Sequence, residues 1–90
     1  MAETHKVAIT GSPGNFSFDP NSLTIKAGDT VEWTNQTGAL HSVTPNKNEF
    51  PGHDLQPQGG TFSHIFTAAA SVAYHCRIHR NMTGTVNVTA

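Results

Sequence analysis

Residues 72–89 read VAYHCRIHRNMTGTVNVT and hold the clearest strand pattern of the chain. Val86 and Val88 alternate with polar residues between positions 84 and 89, which is the period of a strand with one buried face. A second strand is predicted at residues 72–76, which end on Cys76. The segment between these strands must then be a tight loop, which can wrap several side chains around one point.

The same alternation of apolar and polar residues recurs in several other segments of the chain, and no window of 11 or more residues keeps a helical period. About eight short strands are expected, which predicts an all-β sandwich. Further strands are predicted at residues 41–44 and 61–67, and the apolar pairs that mark the first four strands are Val7 and Ile9, Phe16 and Phe18, Leu23 and Ile25, and Val31 and Trp33.

The segment at residues 45–60 interrupts this pattern. It holds three prolines and three glycines among polar residues, and it is too long for a hairpin turn and too irregular for a strand. We therefore expect an ordered surface loop there. No linker, repeat or low-complexity segment divides the chain, so residues 1–90 are expected to form a single domain.

Composition excludes several classes of function. Charged residues make up 12% of the chain and the net charge is -1, so there is no basic surplus for binding nucleic acid. No apolar run approaches the length of about 18 residues that a membrane-spanning helix needs, and the first residues do not form a signal peptide. With one cysteine, an internal disulfide is impossible, and a metal is the obvious alternative for stabilising so small a domain.

The loop after residue 76 carries the chemistry. Cys76, His79 and Met82 offer a thiolate, an imidazole and a thioether at spacings of three residues. His41 is the expected fourth ligand, because it follows the strand of Trp33 and a turn, and a sandwich brings the ends of distant strands together. One Cys and two His with a weak axial Met is the ligand set of an electron-transfer copper site, whereas zinc prefers four strong ligands. Iron–sulfur clusters need more thiolates than one cysteine provides.

Three motifs resemble those of the small blue copper proteins, or cupredoxins, of the plastocyanin, amicyanin and pseudoazurin type. They are GDTVEW at residues 28–33, HSVT at residues 41–44, and Y-H-C-x-x-H-x-x-M-x-G-x-V-x-V at residues 74–88. The short spacing between Cys and Met is most similar to that of amicyanin and pseudoazurin. The resemblance covers nearly the whole chain and implies a Greek-key β-sandwich with one copper ion that cycles between Cu(I) and Cu(II). The ligands it implies are His41, Cys76, His79 and Met82.

The sequence departs from this family at two positions beside the ligands. Ser42 stands where relatives usually have Asn, which ties the ligand loops together, and Ile78 stands where they commonly have Pro. Ile78 therefore keeps a backbone N–H, which we expect to donate to the sulfur of Cys76. Both positions surround the metal ligands, so they affect the reduction potential and leave the metal's identity unchanged.

The remaining chemistry-bearing residues are expected to be structural. The carboxylates are scattered and no serine lies in a nucleophile motif, so an enzyme is not expected. His75 should point away from the metal because it alternates with Cys76, and His5 and His64 are expected to be surface or strand residues. A second metal at His53 and Asp54 is the less favoured interpretation of those two residues.

The function that this pattern predicts is a type 1 copper protein that carries single electrons between redox protein partners. The alternative is a copper carrier or storage module without redox cycling. Docking is expected at an apolar face formed by Leu40, Ile78 and Ala39, and Arg77 and Arg80 beside it predict a partner with an acidic docking face. The alternative is that both arginines are solvated or pair with acids of this chain. We also expect a monomer in the periplasm or another extracytoplasmic compartment, whose signal peptide is absent from this sequence.

Overall fold

A computed structural model of the chain describes residues 2–79 and 81–90, and all the regular elements found there are strands. The predicted all-β sandwich is confirmed, with nine strands rather than about eight. The strands are β1 (Thr4–Thr10), β2 (Ser17–Asp19), β3 (Ser22–Lys26), β4 (Thr30–Asn35), β5 (His41–Pro45), β6 (His53–Leu55), β7 (Thr61–Ile65), β8 (Ala70–His75) and β9 (Thr83–Thr89). Within these described residues there is no helix long and apolar enough to cross a membrane.

The strands form two sheets, with the orders β2-β1-β4-β7 and β3-β9-β8-β5-β6. The pairs β1–β4 and β3–β9 are parallel, and the other neighbours are antiparallel. Since β5 and β8 are antiparallel, with Thr44 opposite His75, the start of β5 lies beside the end of β8. This pairing brings residues 41 and 76 to the same end of the sandwich.

Strand β6 corrects the prediction of a loop across residues 45–60. His53–Leu55 pairs with the first three residues of β5, with Leu55 opposite His41. Leu55 is buried in the core, so its backbone needs hydrogen-bond partners, and β5 would otherwise present an unpaired edge. A three-residue strand between proline- and glycine-rich segments is too short to show an alternating pattern.

Two other predicted boundaries also differ. Phe16 precedes β2, which begins at Ser17, so Phe16 lies in the loop after β1 rather than on a strand. Strand β7 ends at Ile65 rather than at residue 67, because Phe66 turns away to pair its backbone N–H with the carbonyl of Asp29.

The core between the sheets is built around the single tryptophan. Trp33 is fully buried, stacks against Phe50 and Phe62, and meets the ring of Tyr74 edge-on at 5.3 Å between centroids. Tyr74 lies opposite Gly84 in the β8–β9 pair, and a Cβ atom at that glycine would collide with the tyrosine ring. Gly84 therefore allows the aromatic core to extend to the strands that flank the ligand loop.

Candidate metal centre

The predicted ligands lie at one end of the sandwich, called here the ligand end. His41 is the first residue of β5, Cys76 directly follows β8, and His79 lies in the loop between β8 and β9. The structure brings the ligand atoms of these three residues together, as the sequence predicted. Residues 35 positions apart meet because β5 and β8 are antiparallel neighbours.

The three ligand atoms form a compact triangle. The Cys76 Sγ atom lies 3.7 Å from His41 Nδ1 and 3.8 Å from His79 Nδ1, and the two nitrogens are 3.1 Å apart. An ion bound in the plane of the triangle, with metal–ligand lengths like those of zinc, would separate the nitrogens by about 3.5 Å and each nitrogen from sulfur by about 3.8 Å. The triangle therefore fits a single metal ion in trigonal coordination.

Burial favours the neutral form of the first histidine. His41 and Cys76 are 0% exposed, and His79 is half-buried. Burial lowers the pKa of His41, and the charge of the nearby His79 lowers it further. Because only a neutral imidazole offers a lone pair to a metal, the surroundings of His41 hold it in the form that binds.

The ligand loop is closed by its own backbone. The Cys76 N–H donates to the carbonyl of Met82 at 3.1 Å, and the Met82 N–H donates to the carbonyl of His79 at 2.9 Å. Met82 is 1% exposed and packs with the core cluster. The fold thus buries the thioether side chain in the same short loop that carries the thiolate and the second imidazole.

Ser42 joins the two ligand-bearing segments. Its backbone N–H donates to the Cys76 sulfur at 3.4 Å, and its hydroxyl oxygen accepts from the Arg77 N–H at 2.9 Å. The prediction that Ile78 donates to the sulfur is therefore corrected: among the described residues, the N–H bonded to this sulfur belongs to Ser42. The serine still ties the two segments together, because its hydroxyl reaches the backbone N–H of the residue that follows Cys76.

Asn35 fixes the turn that leads to His41, a role that was not predicted from the sequence. Its fully buried amide donates to the carbonyls of Ala39 at 2.7 Å and Leu55 at 3.1 Å. Its side-chain oxygen accepts from the backbone N–H and hydroxyl of Thr37. The sequence does contain an indication of this role, because an Asn two residues before a Thr at the end of a strand is typical of turns that side chains stabilise.

Phe16, in the loop between β1 and β2, covers both histidines. Its half-buried ring meets the ring of His41 at 4.5 Å between centroids and an angle of 78°, and that of His79 at 5.0 Å and 62°. Edge-to-face contacts of this kind restrict the rotation of each imidazole. Nothing in the local sequence pattern distinguishes Phe16 from an ordinary strand residue.

Arg77 is paired with an acid rather than free. Its guanidinium makes two hydrogen bonds to the carboxylate of Asp54, at 3.1 and 2.6 Å. The hydrogen bonds to Asp54 raise the pKa of Arg77, with the charge of the carboxylate adding to the effect. Much of the positive charge expected beside the ligands is therefore neutralised. Arg80, the other predicted charge, lies outside the described residues.

The other histidines lie away from the triangle, as expected. His75 is half-buried and its Nδ1 lies 2.6 Å from the side-chain oxygen of Asn46. His53 stacks on Phe62, and its neighbour Asp54 is engaged by Arg77. The carboxylate of Asp54 is thus already paired with Arg77, which argues against the less favoured hypothesis of a metal at His53 and Asp54.

Comparison with known proteins places this site in a family. A sequence profile described as "Copper binding proteins, plastocyanin/azurin family" matches residues 5–89. The chain therefore belongs to the plastocyanin/azurin family of copper-binding proteins.

Two relatives and two solved structures illustrate the similarity. The plastocyanin of Scenedesmus fuscus is 33% identical over 94 residues, covering 91% of this chain and 96% of the relative. The plastocyanin of Nostoc punctiforme is also 33% identical, covering 97% of this chain and 75% of the relative. A reduced amicyanin mutant superposes with a TM-score of 0.79 at 28% identity, covering 94% of this chain and 81% of that one. The purple cupredoxin from Nitrosopumilus maritimus has a TM-score of 0.83 at 23% identity over 94% of this chain and 99% of that one, which supports the shared fold.

Proposed function

We propose that this chain carries single electrons between redox protein partners through one type 1 copper ion. His41, Cys76, His79 and Met82 would hold the ion, and the thioether of Met82 would be the weakest of the four donors. The observation that supports this most directly is the buried triangle of one sulfur and two nitrogens, with sides of 3.1 to 3.8 Å. Thiolate and imidazole donors in a trigonal plane are the ligand set of electron-transfer copper sites.

Copper, when bound, supplies a one-electron couple between Cu(II) and Cu(I). The protein's part is to keep the ligands in nearly the same place in both oxidation states. Antiparallel strands fix His41 and Cys76, and the backbone hydrogen bonds of Met82 close the loop that carries His79. The N–H of Ser42 donates to the thiolate and so withdraws negative charge from it, which favours the reduced state.

The donor set supports electron transfer over catalysis. Four donors supplied by the protein leave no open position for a substrate, whereas catalytic metal sites keep one. Proteins of this plastocyanin-like type are electron carriers rather than enzymes, and we propose the same of this chain. A copper carrier or storage module is not favoured, because a buried, rigid trigonal site suits retention of the metal better than its exchange.

The first experiment is titration of the purified protein with Cu(II), followed by ascorbate. We expect an intense visible thiolate-to-copper band at one equivalent and its loss on reduction. A colourless protein at stoichiometric Cu(II) would contradict the proposal. Repeated oxidation and reduction in the presence of a chelator separates the two functions, because a shuttle retains copper through the cycles and a carrier releases it.

The role of Met82 is tested by two substitutions with opposite expected signs. Met82→Leu removes a donor that stabilises Cu(II) more than Cu(I), so the reduction potential should rise. Met82→Gln supplies a harder oxygen donor, so the potential should fall. Voltammetry of both variants checks this, and unchanged potentials would mean that Met82 only fills the core.

We further propose that partners dock on the apolar face around His79. Ile78 is 40% exposed there, and Leu40 and Ala39 are half-buried. An apolar face beside a half-buried ligand gives a partner close access to the metal without a charged barrier. Ile78→Asp should slow electron transfer to a natural partner while leaving the visible band unchanged, and equal rates would contradict this docking site.

A partner with an acidic docking face remains a proposal that rests on Arg77. Because Arg77 is paired with Asp54, little free positive charge attracts an acidic partner, and we expect only a shallow decrease in the electron-transfer rate as the salt concentration rises. We also propose a monomer in an extracytoplasmic compartment, as for a mobile carrier. Sedimentation equilibrium tests the oligomeric state, and fractionation of the source cells tests the location.

A further inference from the structure

A second group of metal-binding side chains lies at the end of the sandwich opposite to the ligand end. It consists of Glu3, His5 and Asp29, whose ligand atoms all lie within 4.8 Å of one another. This region, called here the far end, adjoins the start of β4 at Thr30. The turn that leads to His41 follows the last residue of β4, Asn35, so β4 runs from the far end to the ligand end. Six strand residues separate the two ends by about 20 Å at roughly 3.3 Å per residue.

We propose that Glu3, His5 and Asp29 form a second metal site, for a divalent cation of the zinc type. The His5 Nε2 atom lies 3.0 Å from Asp29 Oδ2 and 3.9 Å from Glu3 Oε2. Two ligand atoms of a tetrahedral zinc ion at about 2.0 to 2.1 Å are separated by about 3.3 to 3.4 Å. The observed distances bracket that value, so small rotations of exposed Glu3 complete the geometry.

Asp29 is fixed in place before any metal arrives. It is 4% exposed, and its two carboxylate oxygens accept backbone N–H groups from Glu3 at 3.0 Å and Lys26 at 3.1 Å. The hydrogen bond from the Glu3 N–H, followed in size by those with His5 and the Lys26 N–H, lowers the pKa of Asp29 to about 2. The carboxylate is therefore ionised throughout the physiological range, and a cation meets a charged ligand that two backbone N–H groups already orient.

The site has room for an ion and its water molecules. The three side chains line a surface cavity of about 340 Å³. Lys26 also lines this cavity and is the one Lys or Arg among its lining residues. Because the cavity is open to solvent, water can occupy the metal positions that three protein ligands leave free.

The donors select the class of metal. One imidazole with two carboxylates suits zinc and similar divalent transition metals, whereas magnesium and calcium prefer oxygen alone. The three residues of the far-end site offer neither thiolate nor thioether, so they lack the soft donors that favour Cu(I). Cu(I) should therefore fill the ligand end and leave the far-end site free for zinc.

The test is a zinc titration of the protein loaded with Cu(I), which is diamagnetic and occupies the ligand end. Ring signals of all the histidines are followed by NMR, and affinity is measured by calorimetry. We expect one equivalent of Zn(II) to bind and to shift the His5 signals while those of His41 and His79 stay in place. Unmoved His5 signals at excess zinc would overturn the proposal.

Substitutions give the second arm of the test. His5→Gln and Glu3→Gln should each lower the zinc association constant by about 10- to 100-fold, the loss seen when even an outer partner of a metal site is removed. His75→Gln is the matched control, because it removes a half-buried histidine elsewhere, and should leave zinc binding unchanged. An unchanged blue band after Cu(II) loading verifies the fold of each variant. Equal zinc affinity of His5→Gln and the wild type would overturn the proposal.

Discussion

The two ends of this sandwich hold their polar groups in different ways. At the ligand end, three ligand atoms lie within 3.8 Å of one another, and two of the three side chains are fully buried. At the far end, Asp29 is buried, but His5 is partly accessible and the Glu3 side chain is 73% exposed. The fold alone sets the positions of the ligand atoms at the ligand end. At the far end, the exposed Glu3 side chain has to move before the three ligand atoms can hold one ion. Strong, geometry-dependent chemistry is therefore expected only at the ligand end.

The largest expected effect is on the visible absorption of the Cu(II) protein, which Cys76→Ser at the ligand end should abolish and a substitution at the far end should not change. The substitution removes the only thiolate of the chain, so the intense visible band of the Cu(II) protein should disappear completely. His5→Gln, which removes a histidine from the far end, is the matched control and should keep the band. Absorption spectra at one equivalent of Cu(II) decide the outcome. A serine variant as coloured as the wild type would contradict the ligand assignment.

Ser42→Ala tests how firmly the ligand end is held. The substitution leaves the Arg77 N–H without its acceptor, which should lower the free energy of unfolding by about 1 to 3 kcal/mol. The matched control is Ser71→Ala, because the hydroxyl of Ser71 is bonded to Asn87 at an exposed site, and it should change stability by less than about 0.5 kcal/mol. Urea unfolding of the metal-free proteins measures both, and equal values would mean that Ser42 does not tie the loops.

Acid should remove the contribution of Asp29, at the far end, to the free energy of unfolding in a defined range of pH. The pKa of Asp29 is lowered from 3.8 to about 2, so the folded state binds a proton less readily than the unfolded chain. The stability that Asp29 contributes is fully present above pH 3.8, the ordinary pKa of the group, and is lost as the pH falls to the folded-state pKa of about 2. Asp29→Asn should therefore be less stable than the wild type at neutral pH, with the difference shrinking across this range. Thermal unfolding at a series of pH values measures it, and a constant difference would exclude linkage through this carboxylate.

The smallest effect is expected from the ion pair beside the ligands. Arg77 and Asp54 have side chains that are 54% and 41% exposed, and such pairs contribute about 0 to 1 kcal/mol. Asp54→Asn should thus barely change stability, but it frees the charge of Arg77. Electron transfer to an acidic partner should then become faster at low salt and more sensitive to ionic strength. Stopped-flow rates across a salt series check this, and identical salt dependence would show that Arg77 does not steer a partner.

Local pattern was enough to predict the sandwich and to place His41, Cys76 and His79 at one site. Alternation identifies half-buried strands, and soft ligands spaced by three residues in a tight loop are typical of a metal site. Strand β6 was missed because three residues are too few to show a period. An ion pair of Arg77 was an alternative from the sequence, but the acid could not be named, because Asp54 lies 23 residues away in that unpredicted strand. The sulfur's N–H donor was assigned to Ile78 instead of Ser42, since only the register of β5 against β8 decides which amide faces it.

The buried tryptophan gives this protein an internal optical reporter. Trp33 is the only indole of the chain, and its 0% exposure keeps water away from the excited state, so its fluorescence should lie at short wavelength. Its neighbour Tyr74 is two residues before Cys76 along the same segment, so the indole lies close to the site where a coloured Cu(II)–thiolate centre would absorb. Emission should therefore be dim in the oxidised protein and bright after reduction, while a shift to longer wavelength would mark the opening of the core. One residue would thus report both the redox state and the folding of the molecule without any added label.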